Sequence, residues 1–140
     1  MRLDQKTRKH QFQPGRYYIG DPCYVVADKD WDTLIDETGC FGIEGYEATG
    51  FWDDGLFKYN GKVCFANGTA WGDGEYDAEG TSVSLGVDAG LISIMPIECI
   101  GENEMPDTVR LGVVVEFKDA FNAYYEDGVF HFGHIVVDTN

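Results

Sequence analysis

The strongest constraint on this chain is its punctuation. Asn60-Gly61 separates Leu56-Phe57-Lys58-Tyr59 from Lys62-Val63-Cys64-Phe65-Ala66, and Asp127-Gly128 separates residues 121–125 from 129–137. Both dipeptides accept the paired positive φ angles of a type I′ turn, whose twist matches that of two paired strands. Each therefore predicts an antiparallel hairpin. Three further phrases break apolar, β-favouring stretches: Gly20-Asp21-Pro22-Cys23-Tyr24, Gly72-Asp73-Gly74-Glu75-Tyr76 and Val87-Asp88-Ala89-Gly90. Glycine, proline and aspartate turn the backbone, and each phrase also carries an acid.

Between these breaks the chain reads as strands. Residues 16–19 form one, and residues 23–26 resume extended structure after a kink, because Pro22 keeps Asp21 out of the helical region. Residues 82–85, 91–95 and 110–117 follow. One helix is predicted over residues 29–37: Asp28 or Asp30 caps it, Trp31, Leu34 and Ile35 share a face, and Gly39 ends it. About eight strands and one helix make a mostly β fold, a β-rich α+β arrangement. The expected architecture is a curled antiparallel sheet, barrel-like or packed as a sandwich, with the helix covering one side or end. The 140 residues suit a single domain over residues 14–140, preceded by a flexible basic arm over residues 1–13.

Charge narrows the partners. The formal net charge is −15, and residues 1–16 are locally basic through Arg2, Lys6, Arg8, Lys9 and Arg16. The rest of the chain is more acidic still, so its field repels nucleic acid and anionic membranes. A protein with a basic surface, or a small ligand, is the expected partner. No run reaches the roughly 18–20 apolar residues of a membrane span, and the first residues lack a signal-peptide pattern. The expected location is cytoplasmic. The cysteines Cys23, Cys40, Cys64 and Cys99 are widely spaced. They read as buried thiols rather than zinc ligands, which favour close pairs.

Motifs for chemistry are few. Asp28-Lys29-Asp30-Trp31-Asp32 imitates the start of an EF-hand loop, but Thr33 and Gly39 stand where the loop needs glycine and glutamate. The acids of residues 73–79 fail the same test and read as a solvated hairpin edge. His131 and His134 would project from opposite faces of a single strand and could not act as a pair. Phosphate-binding and nucleophile-elbow signatures are absent. No catalytic residue and no cofactor is assigned, and no metal ligand is identified. The candidate ligand-binding residues are Asp21, Tyr24, Trp71, Asp73, Tyr76 and Asp88, carboxylates and aromatic rings beside the turn phrases. Turn formation explains the aspartates without any ligand.

The order of residues 17–25, Trp31, residues 72–76 and residues 87–90, then an apolar run and Pro96, resembles a family of small phage and bacterial proteins of uncharacterised activity. The resemblance covers roughly residues 15–100 and rests on the GDPCYV, GDGxY and VDAG phrases. It implies a small accessory protein acting on a host factor. The expected function is thus a binding module that occludes or sequesters a partner, rather than an enzyme. The alternatives are a pocket for a nucleotide-like small ligand, or an enzyme or calcium-binding protein using Asp21, Asp73 and Asp88.

Overall fold

The structure, a computed structural model, describes residues 7–25, 56–59, 62–87, 90–100 and 112–140. The predicted helix over residues 29–37 and the Asp88 turn lie outside the described residues. Among the described residues eleven strands run in chain order: β1 (His10–Phe12), β2 (Gly15–Gly20), β3 (Leu56–Tyr59), β4 (Lys62–Gly68), β5 (Gly74–Glu79), β6 (Ser84–Val87), β7 (Leu91–Pro96), β8 (Val113–Phe117), β9 (Phe121–Glu126), β10 (Val129–Phe132) and β11 (Ile135–Asp138). They form two antiparallel sheets. One has six strands in the order β1-β9-β10-β11-β5-β6, the other five in the order β3-β4-β7-β2-β8. The sheets do not close into a barrel, and packing face to face corrects the barrel-like alternative.

Alternation decides what fills the space between them. Along β9 the inward residues Phe121, Ala123 and Tyr125 are buried while Asn122 and Glu126 are exposed. Phe12, Phe130, Phe132, Ile135 and Val137 join them from the six-stranded sheet, and Tyr17, Ile19, Phe65, Ile92, Ile94 and Phe117 meet them from the other. Removing each of these large side chains from water stabilises the fold by about 1.5–3 kcal/mol. The five-stranded sheet buries its second face as well. Tyr18, Tyr59, Cys64, Ala66 and Met95 pack there under Val25, Cys99 and Ile100. The two sheets therefore differ: one is covered on both faces, the other presents an outer face to water.

Both predicted hairpins form. Tyr59 pairs with Lys62, and Glu126 pairs with Val129. Asp127 and Gly128 have φ of 50° and 88°, the two left-handed angles that a type I′ turn demands. Other expectations are corrected. Part of the arm is built into the fold, since β1 pairs with β9 and Phe12 stacks on Phe121 at 5.7 Å. Pro22–Tyr24 forms a 3-10 turn, η1, instead of resuming a strand. The proline supplies a φ suited to that turn, and the Val25 N–H closes it on the Pro22 carbonyl. Residues 129–137 are not one strand either. Gly133-His134 turns the chain so that Phe132 pairs with Ile135. The acid-rich strand β5 is not an edge, because β11 and β6 flank it.

Candidate functional site

The turn phrases meet at one end of the sandwich. Gly20 pairs with Ser93, Gly68 with Leu91, and Gly74 with Val87. The Ser93 hydroxyl donates to the Gly20 carbonyl at 2.8 Å, and the Thr69 N–H donates to the Gly90 carbonyl at 3.0 Å. Their side chains nevertheless go different ways. Asp21 is fully buried, while Asp73 is exposed. Tyr24 is half-buried against the second core. Trp71 is 61% exposed on the turn before β5. Tyr76 is half-buried and donates its hydroxyl to the Gly72 carbonyl at 2.9 Å, closing the turn of its own phrase. Asp88 lies outside the described residues. Asp21 and Asp73 therefore share no open surface, whereas Trp71, Asp73 and Tyr76 belong to one surface turn. Among the described residues no group of three or more His, Cys, Asp or Glu side chains is placed to hold a metal ion.

Two features assembled from segments distant in sequence offer better sites. The first is the outer face of the six-stranded sheet. Tyr124 on β9 pairs with His131 on β10, which pairs with Val136 on β11, which pairs with Glu79 on β5. The Tyr124 and His131 rings stack at 4.4 Å with planes 11° apart, and the Lys9 ammonium lies 5.1 Å from the Tyr124 ring centre. The next row is acidic. Val137 opposes Ala78, so the register sets Asp138 beside Asp77 on the adjacent strand. Both are exposed, as are Glu75 and Glu79 on β5. Ser84 donates to Asp77 at 2.6 Å, and the Asn140 backbone and side-chain N–H groups donate to Asp138 at 3.0 Å. These are neutral donors, so they leave the carboxylate charges in place. His134, by contrast, leaves this face and sets its ring edge-on to Phe117 at 5.5 Å.

The second feature is a cleft of about 580 Å³ between β1 and the β3–β4 hairpin. Phe12, Tyr17, Leu56, Val63 and Pro96 form its apolar walls, with His10, Lys62 and Glu98 supplying polar groups. His10 is buried and its ring lies 5.8 Å from that of Phe65. The Tyr17 hydroxyl donates to the Gln13 carbonyl at 2.7 Å. Burial raises the Tyr17 pKa above its ordinary value, and the nearby Glu98 carboxylate adds to the effect. The phenol stays neutral, and with its proton donated to Gln13 its oxygen is left to accept. A volume in this range suits a small organic ligand. The signal for both features lies in period-2 alternation: Glu75, Asp77 and Glu79 fall on one face, and His10 and Phe12 share the inward face of the supposed arm. Which strands lie side by side is not in that signal.

No helix among the described residues is long and apolar enough to cross a membrane. No family model, no curated protein and no solved structure matches this chain.

Proposed function

We propose that this chain is a small acidic binding module, a phage or bacterial accessory protein that occludes or sequesters a host factor with a basic surface. The docking surface is the outer face of the six-stranded sheet. The observation that carries this reading is the row of Glu75, Asp77, Glu79 and Asp138 on adjacent strands β5 and β11. Like charges on neighbouring strands cost stability, so the fold carries a repulsion that a cationic partner would relieve. Next to the row, the stacked Tyr124 and His131 rings and Val136 form a half-buried patch whose aromatic side chains are of the kind that anchors interfaces. The net charge of −15 steers the chain toward basic surfaces.

The test compares the wild-type chain with a variant carrying Glu75→Gln, Asp77→Asn, Glu79→Gln and Asp138→Asn. Proteins captured from a bacterial lysate are identified, and the strongest is purified and titrated against both chains at several salt concentrations. A basic partner whose affinity falls steeply with salt, and at least tenfold in the variant, supports the proposal. A partner bound equally by both chains, with no salt dependence, overturns it.

A second reading rests on the cleft beside Tyr17. In it the chain captures a small ligand with a planar apolar body, held between Phe12, Tyr17 and Pro96, with a polar group reaching Lys62 or Glu98. A thermal-shift screen of aromatic carboxylates, nucleosides and nucleotides tests it. A shift that Tyr17→Ala abolishes supports this reading, and an absence of shifts across the screen removes it.

A further inference from the structure

The sulfur atoms of Cys64 and Cys99 lie 3.8 Å apart, brought together from β4 and the 3-10 turn η2 (Ile97–Cys99) although 35 positions separate them in sequence. Both residues are buried in the second core. We propose that Cys64 and Cys99 form a dithiol that peroxide converts to an intramolecular disulfide, a reversible covalent clamp between β4 and η2.

Three observations support this site. The separation is van der Waals contact, and bond formation requires the sulfurs to close by roughly 1.8 Å, a displacement within reach of side-chain rotation. The two thiols are electrostatically unequal. The contact between the sulfurs lowers the Cys99 pKa against the opposing effects of burial and Glu98, while the same contact and burial raise that of Cys64. Cys99 is the more acidic of the two, which favours it as the sulfur that attacks the oxidant and Cys64 as the one that resolves. Finally, η2 begins directly after β7 and contains Glu98, one wall of the cleft. A bond at Cys99 would fix that wall to β4.

The chemistry balances with a hydroperoxide as oxidant. The Cys99 thiolate attacks one peroxide oxygen, the O–O bond breaks, and protonation gives a sulfenic acid and water. The Cys64 sulfur then displaces the sulfenic oxygen, which leaves as a second water, and the S–S bond forms. Two thiols and one hydrogen peroxide yield one disulfide and two waters.

The experiment treats the reduced full chain with hydrogen peroxide, blocks remaining thiols under denaturing conditions, and maps the peptides. The expected product is a peptide pair joined through Cys64 and Cys99, two hydrogens lighter than the reduced pair and released by dithiothreitol. Oxidation should raise the melting temperature by on the order of 10 °C, because the bond closes a long loop in the unfolded chain. Cys64→Ser and Cys99→Ser should each abolish both the linked peptide and the shift. A variant carrying Cys23→Ser and Cys40→Ser should retain both, which keeps the assignment testable if a single-serine variant folds poorly. Sulfinic acid at either position without the linked peptide, pairing of Cys64 or Cys99 with Cys23 or Cys40, or no loss of thiols overturns the proposal.

Discussion

The Thr139 hydroxyl accepts the Ala70 backbone N–H at 3.0 Å, joining the chain's end to the turn before β5. The same hydroxyl donates to the Gly128 carbonyl at 2.5 Å, and Thr139 is fully buried. One oxygen therefore satisfies a donor and an acceptor from two turns. Thr139→Val keeps the shape and removes the oxygen, so the Ala70 N–H loses its acceptor while the Gly128 carbonyl keeps the Thr139 backbone N–H at 2.8 Å. It should cost about 1–3 kcal/mol, while Thr139→Ser should cost less because it retains the hydroxyl. Urea unfolding of the two variants measures the difference. Equal stability of the valine and wild-type chains would show that water replaces the hydroxyl.

Tyr18 lies so close to Gly112 that a Cβ there would sit 2.5 Å from the ring carbon Cε1. The Tyr18 hydroxyl is held by the Asp21 carbonyl at 2.8 Å, so the ring has little room to move. Gly112→Ala should destabilise by about 1–3 kcal/mol through overpacking. Adding Tyr18→Phe should relieve it only in part, because it removes the hydroxyl oxygen at 2.8 Å and its tether to Asp21 but leaves the ring carbons Cε1 and Cζ at 2.5 and 2.9 Å. Full recovery of stability in that double variant, measured by thermal melting, would refute this account.

Stability should fall at alkaline pH. Burial raises the pKa of Tyr17 and of Tyr125 in the folded chain, with Glu98 and Asp127 respectively adding to the rise. The unfolded tyrosines titrate near pH 10, so above that the unfolded chain holds fewer protons than the folded one. The stabilisation from keeping these phenols neutral is complete below about pH 10 and is lost as pH rises toward the folded values. Tyr17→Phe combined with Tyr125→Phe should flatten the decline above about pH 10. A decline of unchanged slope would assign the effect to other groups.

Salt should stabilise the chain. With a net charge of −15 and Asp77 set beside Asp138, repulsion opposes folding and is screened by added ions. The melting temperature should rise between about 0.02 and 0.5 M sodium chloride, with most of the rise complete once the Debye length falls below about 10 Å. The variant neutralised at Glu75, Asp77, Glu79 and Asp138 should melt higher at low salt and respond less. A melting temperature independent of salt in both chains would rule out the repulsion.

Much of the fold is legible in the sequence. Asn-Gly and Asp-Gly carry their turn geometry in their own backbone preferences, and residues 121–126 announce their inward face by alternation. The Pro22 kink was legible only as a break, because proline is compatible with both a bend between strands and a 3-10 turn. The split of residues 129–137 is hidden because Gly133-His134 sits inside a continuous β-favouring run. Of the site residues, the turn carboxylates and rings were conspicuous through composition. The row of Asp77 and Asp138 was not, since its members are distant in sequence and ordinary in isolation.

By itself, the amino-acid order determined the β class, the hairpins at residues 59–62 and 126–129, the inward residues of the regular strands and the excess of negative charge. These are short-range properties, fixed by φ preferences, by the two-residue period of a strand and by counting. Only the tertiary structure decided that β1 joins β9, that Asp21 is sealed while Asp73 faces water, that Asp138 lies beside Asp77, and that Cys64 meets Cys99. Each of those depends on which strands become neighbours. That choice is made by the shared burial of two sheets' inner faces, a collective energy that no single segment encodes.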